Sequence, residues 1–191
     1  MYIVLEGIDT AGKTTQIELL SQKLPQSYIT KEPGGTDIGK KIREIILFES
    51  TQNSLTEFFL FLADRSEHTQ QVLKRNKTVI SDRSLISGIA YAMQNSTLSL
   101  EKMIELNLLA VNNILPDKVI LFQLDKNTLI ERLSKKSHDK IEERGVDYLL
   151  SIQDNLKKVV EKLEIEYLTI DASLPINKIH KEIYDFITAL S

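Results

Sequence analysis

Short apolar runs alternate with helical patterns along the chain. Runs that predict buried β-strands cover residues 2–5, 28–30, 78–81, 119–124 and 166–170. Apolar residues spaced three or four apart predict helices at 13–24, 37–46, 55–74, 85–93, 99–114, 127–135 and 149–163, and a last helix from Pro175. Because strands and helices alternate throughout, we expect one α/β domain over residues 1–191, with a five-stranded parallel sheet covered by helices on both faces.

Several helical segments carry more detailed expectations. Asp37 is expected to cap the second helix. Helix 55–74 is strongly apolar, and we expect Phe58, Phe59 and Leu62 to lie in the core. Segment 127–135 is expected to form an exposed, charged helix. The polar segment 134–145 has nothing to bury and is predicted to be a short mobile lid.

The first predicted strand ends in an octet, Gly7 to Thr14, that fits the pattern G-x-x-x-x-G-K-[ST] at every fixed position. The two glycines permit backbone geometries in which successive N–H groups point at a polyphosphate. Lys13 provides a cation for the terminal phosphates, and the Thr14 hydroxyl can bind Mg²⁺. The bare pattern also occurs by chance, but here it links a strand to an amphipathic helix, whose N-terminus favours an anion. It therefore predicts a nucleotide site.

Polar clusters follow four of the five predicted strands. They are the phosphate loop, residues 32–36, the pair Asp82-Arg83 and the pair Asp171-Ala172. The carboxyl ends of parallel strands meet at one edge of the sheet, where α/β proteins bind their ligands. We therefore expect a single site at this edge.

Asp82 and Arg83 indicate the type of reaction. A carboxylate in this place can position Mg²⁺ and its waters, and a guanidinium beside it can form two parallel hydrogen bonds with a phosphate. The alternatives are a helix cap for Asp82 and a surface ion pair for Arg83. After a phosphate loop, the pair favours phosphoryl transfer.

Phe61 and Arg65 lie four residues apart and therefore share one face of their helix. Together they could stack on a base and hydrogen-bond its edge, although the spacing alone favours a core position for Phe61. The predicted lid carries several cations, among them Lys140 and Arg144. A basic lid of this kind could close over a transferring phosphoryl group and exclude water.

The composition of the chain argues against several other classes of function. The formal net charge of −3 argues against a dedicated nucleic-acid or membrane-surface binder. Cysteine is absent, which excludes disulfides and thiolate metal sites, and the three histidines lack metal-ligand spacing and are interpreted as structural or surface residues. Met1 leads directly into the first strand, and no apolar run is long enough to span a bilayer. We therefore expect a cytoplasmic protein that binds neither nucleic acid nor a membrane.

Taken together, these motifs resemble the thymidylate kinase family of the bacterial type, from residue 2 to about 187. The segments that carry the resemblance are LEGIDTAGKTT (5–15), TKEPGGT (30–36), FLADRSEH (61–68), VISDRSLISGIAY (79–91) and DKIEE (139–143). The resemblance implies a three-layer P-loop NTPase fold and transfer of the γ-phosphoryl group of ATP, with Mg²⁺, to dTMP. It also implies a homodimer, for which the apolar helix 55–74 could form the interface, although this helix could equally be buried within one subunit.

The resemblance implies roles for the matched residues. Those expected at ATP are Gly7, Ile8, Asp9, Thr10, Ala11, Gly12, Lys13, Thr14, Arg132 and Ala172. Those expected at dTMP are Asp9, Glu32, Arg43, Phe61, Arg65, Arg83, Ser87 and Tyr91. Mg²⁺ would be bound by Thr14 and, partly through water, by Asp82. Phe61 would then stack on thymine, and Tyr91 would lie under the deoxyribose.

The implied catalytic residues are Lys13, Asp9 and Arg83, with a further cation from the lid. The loop has Thr10 where many relatives have glycine, and it contains no arginine. The usual lid arginine is replaced by Lys140, which keeps the charge but lacks the two-pronged geometry of a guanidinium. Arg144 or Arg132 could therefore share the catalytic role.

Two other functions stay open on the sequence. A deoxynucleoside kinase would need a carboxylate to deprotonate a 5′-hydroxyl, and Glu6 is the nearest candidate. A phosphate-loop switch or binding protein would have no catalysis of its own, although the chain lacks an Asn-Lys-x-Asp guanine-binding motif.

Overall fold

The computed structural model describes residues 1–49, 53–74, 78–134 and 145–189. Its five strands are β1 (Tyr2–Glu6), β2 (Tyr28–Lys31), β3 (Val79–Asp82), β4 (Lys118–Gln123) and β5 (Tyr167–Asp171). They form one parallel sheet in the order β2-β3-β1-β4-β5. The prediction of a five-stranded parallel α/β sheet is confirmed.

Helices connect and cover the strands. They are α1 (Lys13–Lys23), α2 (Asp37–Phe48), α3 (Ser54–His68), α4 (Leu85–Asn95), α5 (Leu100–Ala110), α6 (Lys126–Leu133), α7 (Val146–Lys162) and α8 (Ile176–Thr188). α3 packs against α2, α4 and α5, while α4 packs against α7 and α1 against α8. No helix in the described ranges is long and apolar enough to cross a membrane.

The central strand β1 fixes the place of the site. All five of its residues are buried, as expected for a strand covered on both faces. β3 pairs on one side of β1, with Leu5 opposite Asp82, and β4 pairs on the other, with Glu6 opposite Leu121. The chain reverses its direction of winding around β1, so a crevice opens beyond the carboxyl end of this strand. The phosphate loop emerges there.

Several predicted helix ends differ from the structure. Thr36, not Asp37, caps α2, because its Oγ1 accepts a hydrogen bond of 2.9 Å from Gly39 N. The predicted helix 99–114 stops at Ala110, since Asn112 and Asn113 adopt positive φ angles of 52° and 57° that a right-handed helix cannot contain.

The predicted helix 55–74 is also not uniform. It is α-helical as far as His68, and residues Thr69–Leu73 then continue as a π-helical turn. Lys74 N donates to Thr69 O at 3.1 Å, the spacing of five residues that defines this wider winding. The length of the apolar pattern was therefore predicted, but not the change of winding within it.

Two expectations about which side chains are buried differ from the structure. Phe58 lies in the core and Leu62 packs against it, but the prediction for Phe59 was wrong, because its side chain is 53% exposed. Helix α6 is not wholly exposed either, since Leu129 and Leu133 are buried. Most of the predicted lid 134–145 lies outside the described residues.

Candidate active site

The phosphate loop joins β1 to α1. Gly12 has a φ of 92°, a left-handed conformation that disfavours other residues, and it places Lys13 at the first position of α1. The Lys13 ammonium is buried and donates hydrogen bonds of 3.1 Å to the carbonyls of Gly7 and Ile8. Burial, followed by the nearby charge of Arg83, lowers the pKa of Lys13 to about 8. The lysine side chain thus folds back across its own loop and is held there by two backbone carbonyls.

Asp82 ends β3 beside the loop. Its Oδ1 atom lies 3.9 Å from Lys13 Nζ and is buried without a hydrogen-bond partner among the described residues. Thr14 lies exposed at the start of α1. The described ranges contain no cluster of three His, Cys, Asp or Glu side chains that could enclose a metal ion alone. One carboxylate oxygen and one hydroxyl fit Mg²⁺, which is commonly bound by few protein groups together with phosphates and water.

Arg83 lies at the centre of the polar edge. Its φ of 70° is left-handed, and its backbone is held by Leu5 O, which accepts from Arg83 N at 3.0 Å, and by Ser81 Oγ, which donates to Arg83 O at 2.7 Å. The guanidinium donates to Asp9 Oδ1 at 2.8 Å and to Ser87 Oγ at 3.0 Å. It also lies 5.5 Å from the centroid of the Tyr91 ring. The structure therefore brings together four residues that the sequence associates with the acceptor.

Glu6 lies beneath this group as the last residue of β1 and is 0% exposed. Its Oε1 accepts from Ser84 Oγ at 2.8 Å and from Ser87 N at 3.3 Å, and its Oε2 accepts from Ser87 Oγ at 2.5 Å. Burial raises the pKa of Glu6, while the Ser87 hydrogen bond and the charge of Arg83 oppose that rise. Both oxygens of this carboxylate are thus bonded to the first turn of α4.

A second buried network surrounds Glu32 in the turn after β2. Glu32 Oε1 lies 2.7 Å from His68 Nδ1, and Oε2 accepts from Arg65 Nε at 2.9 Å. Burial opposes the ionisation of Glu32, but the hydrogen bond to His68 and the charge of Arg65 outweigh it and lower the pKa of this carboxyl. His68 Nε2 also lies 2.7 Å from Thr30 Oγ1, which confirms a structural role for this histidine.

Arg65 is 2% exposed and is held from three sides. Besides Glu32, it donates through Nη1 to Asn107 Oδ1 at 2.5 Å and through Nη2 to Ser84 O at 3.3 Å. A Cβ atom at Gly88 would lie 2.5 Å from Arg65 Nη2, so a larger residue at this position of α4 would displace the guanidinium. The guanidinium is thereby fixed between α3, α4 and α5.

The same turn is held from outside by two more contacts. Gly34 N donates to Asp64 Oδ1 at 3.0 Å, and Arg43 Nη1 donates to Pro33 O at 3.1 Å. The peptide bond between Glu32 and Pro33 is cis. Arg43 therefore lies against the Glu32 turn, on the side of the site expected for the acceptor.

Arg132 connects the two loops expected around ATP. It lies at the end of α6, and its Nη1 donates to Thr10 O at 2.8 Å while its Nη2 donates to Ala172 O at 2.6 Å. Thr10 belongs to the phosphate loop and Ala172 follows β5. The structure thus unites three of the residues that the sequence assigns to ATP.

Comparison with known proteins identifies the family of this chain. A family model described as thymidylate kinase matches residues 5–183. The chain belongs to the thymidylate kinase family. It is 51% identical to the thymidylate kinase of Aliarcobacter butzleri, over 98% of each chain, and 46% identical to that of Sulfurovum sp., over 98% of this chain and 99% of the relative. The crystal structure of thymidylate kinase from Ehrlichia chaffeensis superposes with a TM-score of 0.78 at 26% identity, covering 99% of this chain and 98% of the other.

For some residues implied by the thymidylate kinase family, the structure does not show the expected contact. Phe61 is half-buried and is not among the core residues, unlike Phe58 on the same helix. Ser87 is bonded to Glu6 and Arg83, so its expected contact with a base edge stays a prediction. Lys140 and Arg144 lie outside the described residues.

The sequence patterns did not predict several residues that support the site through hydrogen bonds. Ser84, Asn107 and Asp64 were given no role, although each bonds a residue or turn of the site. Ser84 could have been recognised as an N-cap before α4. Asn107 lies 42 residues from Arg65 in sequence, and no local pattern connects the two.

Proposed function

We propose that this chain transfers the γ-phosphoryl group of ATP to dTMP, giving ADP and dTDP for the synthesis of dTTP. The observation that carries the proposal is the cluster of Lys13, Asp82, Asp9 and Arg83 at the carboxyl edge of the sheet, in a chain of the thymidylate kinase family. Because both substrates are nucleotides of the cell interior, we also propose a cytoplasmic location.

On the donor side, the loop N–H groups and Lys13 bind the β- and γ-phosphates. Mg²⁺, when bound through Thr14 and Asp82, neutralises phosphate charge as it develops. Asp82 Oδ1 supports this assignment, since a buried carboxylate oxygen that accepts no hydrogen bond from the described residues is suited to a cation or its water. Arg132 keeps the phosphate loop and the Ala172 loop together, with the adenine bordered by the latter.

On the acceptor side, Arg83 and Arg43 bind the dTMP phosphate. The Arg83 side chain is bonded to Asp9 and Ser87 and is only 16% exposed, so its guanidinium has a single orientation before the substrate binds. A preorganised guanidinium aligns the attacking oxygen with the γ-phosphorus at little entropic cost. The acceptor oxygen is already ionised, so the transfer requires positioning and no general base.

The base is read by residues of α3. Phe61 stacks on thymine, and Arg65 on the same helix face hydrogen-bonds the base edge. Three of the five N–H groups of Arg65 donate hydrogen bonds to Glu32, Asn107 and Ser84. These bonds fix the orientation of the guanidinium and thus the direction of its other N–H groups. Tyr91, which contacts Arg83, lies under the deoxyribose. Lys140 or Arg144 supplies the lid cation.

The geometry disfavours a nucleoside kinase. Such an enzyme needs a carboxylate that reaches the 5′-hydroxyl of its substrate. Glu6, the candidate for that role, is fully buried with both oxygens bonded to Ser84 and Ser87. It therefore offers no oxygen to a substrate.

We also propose that the chain acts as a homodimer. Helix α2 exposes a stripe of large apolar side chains, with Ile38 at 50%, Ile45 at 41% and Phe48 at 75% exposure. Positions seven and three residues apart lie on one face of a helix, and the neighbouring helix α3 adds Phe59. An apolar face of this kind is typical of a protein–protein interface.

The proposal is tested by measuring dTDP formation from MgATP and dTMP. Lys13→Ala is expected to lower kcat by on the order of 10²–10³, because a cation that stabilises the transferring group is lost. Lys23→Ala, at the exposed end of the same helix, is the matched control and should retain normal turnover. Near-normal turnover of a folded Lys13→Ala protein would overturn the assignment of the site.

A further inference from the structure

The Glu6 carboxylate is the only charged group of β1, and the mechanism above does not use it. It accepts three hydrogen bonds, all from the first turn of α4 and its cap, Ser84 and Ser87. A buried carboxylate with this many donors is held in one place, and it holds its donors in return. Ser87 bonds both this carboxylate and the Arg83 guanidinium, which raises the question of what Glu6 does for that side chain.

Ser87 forms the link between the two charges. Its hydroxyl has a single proton, and that proton points to Glu6 Oε2 across 2.5 Å. The lone pairs of Oγ are therefore left for Arg83 Nη1, which donates to it at 3.0 Å. The Glu6 carboxylate, as an acceptor, thus fixes the direction of the hydroxyl, and the hydroxyl fixes one branch of the guanidinium. Asp9 holds the other branch at 2.8 Å.

We propose that Glu6 is a positioning residue that orients Arg83, through Ser87, for the phosphate of the acceptor. This inference rests on the proposed role of Arg83. The left-handed backbone of Arg83, with its φ of 70°, is an unusual starting point for a side chain, and the contacts of its two Nη atoms determine where the fork points. Glu6 sets one of those contacts without touching a substrate.

Glu6→Gln tests the relay with almost no change of shape. The Ser87 backbone N–H cannot turn, so the glutamine oxygen stays with it and the glutamine NH₂ takes the place of Oε2. Ser87 Oγ then accepts from that NH₂ and directs its own proton toward Arg83, which repels the guanidinium. We expect the KM for dTMP to rise about tenfold, the effect of losing a hydrogen bond to a charged group, with the KM for ATP within twofold of wild type.

A double-mutant cycle separates the relay from general damage. Ser87→Ala removes the link, so Glu6→Gln should raise the KM for dTMP about tenfold in wild type but less than twofold in the Ser87→Ala background. Full additivity of the two effects would overturn the proposal. Glu101→Gln, on the exposed first turn of α5, is the matched control.

Arg83→Ala distinguishes this proposal from the function on which it rests. If Arg83→Ala leaves kcat and the KM for dTMP unchanged, the role of Arg83 itself is wrong. If Arg83→Ala is impaired while Glu6→Gln is normal, only the relay is wrong. Should Glu6→Gln fail to fold, Ser87→Ala alone must raise the KM for dTMP and leave the KM for ATP unchanged, and an unchanged KM for dTMP overturns the relay.

Discussion

Two buried carboxylates near the turn after β2 have pKa values that are shifted in opposite directions, because their hydrogen-bond partners differ. Glu32 is bonded to Arg65 and His68, and its pKa lies below the usual range despite its burial. Asp64 is 1% exposed and accepts a hydrogen bond from Gly34 N, and burial raises its pKa to about 6. Folding therefore stabilises the ionised form of Glu32, whereas it disfavours the ionised form of Asp64.

This difference predicts the pH dependence of an Asp64→Asn variant. Folded wild type binds a proton at Asp64 up to about pH 6, while the unfolded chain loses it near 3.8, so wild type loses stability as pH rises between these values. The variant lacks this loss. Its free energy of unfolding, relative to wild type, should rise by about 2 kcal/mol from pH 4 to pH 7, since one pKa unit corresponds to about 1.4 kcal/mol.

Urea denaturation at a series of pH values measures this difference directly. Asp154→Asn, which removes a carboxylate from an exposed position on α7, serves as the control. A difference for Asp64→Asn that stays flat with pH would mean that the Asp64 carboxyl titrates alike in the folded and unfolded chains.

The sequence predicted the chemistry of single residues better than their contacts. The fixed positions of the phosphate loop identified Lys13 and Thr14, because that pattern is local. The pair Phe61 and Arg65 was recognised by helical spacing, but the burial of Arg65 on Glu32 and Asn107 was not. Those partners lie 33 and 42 residues away, and only the packing of α3, α5 and the turn after β2 brings them together.

At the scale of elements, Arg132 joins three parts of the chain. It extends from the end of α6 to the phosphate loop and to the turn between β5 and α8. Both acceptors are backbone carbonyls, so the contact positions the two loops whatever their side chains. The spacing of these loops would then govern how ATP fits between them.

We expect Arg132→Ala to raise the KM for ATP about tenfold, because two charge-assisted hydrogen bonds between the loops are lost. The KM for dTMP should stay within twofold of wild type, since the described hydrogen-bond acceptors of Arg132, Thr10 and Ala172, are both assigned to ATP. Steady-state kinetics with each substrate varied in turn makes the distinction. Lys126→Ala, at the exposed start of α6, is the control, and an equal rise in both KM values would contradict a donor-side role.

Element types and order were predictable because the strands are short apolar runs separated by amphipathic segments. The carboxyl edge of the sheet could also be predicted, since the polar clusters all follow strands. Element ends were less predictable. The positive φ angles of Asn112 and Asn113 and the π-helical turn after His68 depend on packing that the pattern of apolar positions does not contain.

At the scale of the whole molecule, the exposed apolar stripe on α2 predicts the oligomeric state. Phe48→Glu should convert the proposed homodimer to a monomer, because a carboxylate would have to be buried in an apolar interface. Leu109→Glu, on α5, makes the same change at a side chain that is 78% exposed and should leave the dimer intact. Sedimentation velocity over a range of concentrations gives the result. A wild type that sediments as a monomer would contradict the dimer.

The central claim is the identity of the acceptor. It is tested most directly by ADP release from MgATP with dTMP, dUMP, UMP, AMP, GMP, CMP and thymidine, each offered alone. We expect dTMP to be preferred strongly, with dTDP formed in equal amount to ADP, because in the proposed site Arg83 binds the acceptor phosphate and Phe61, Arg65 and Tyr91 contact thymine and deoxyribose. Activity on thymidine without activity on dTMP would contradict the account, as would slow hydrolysis of ATP that no nucleotide changes.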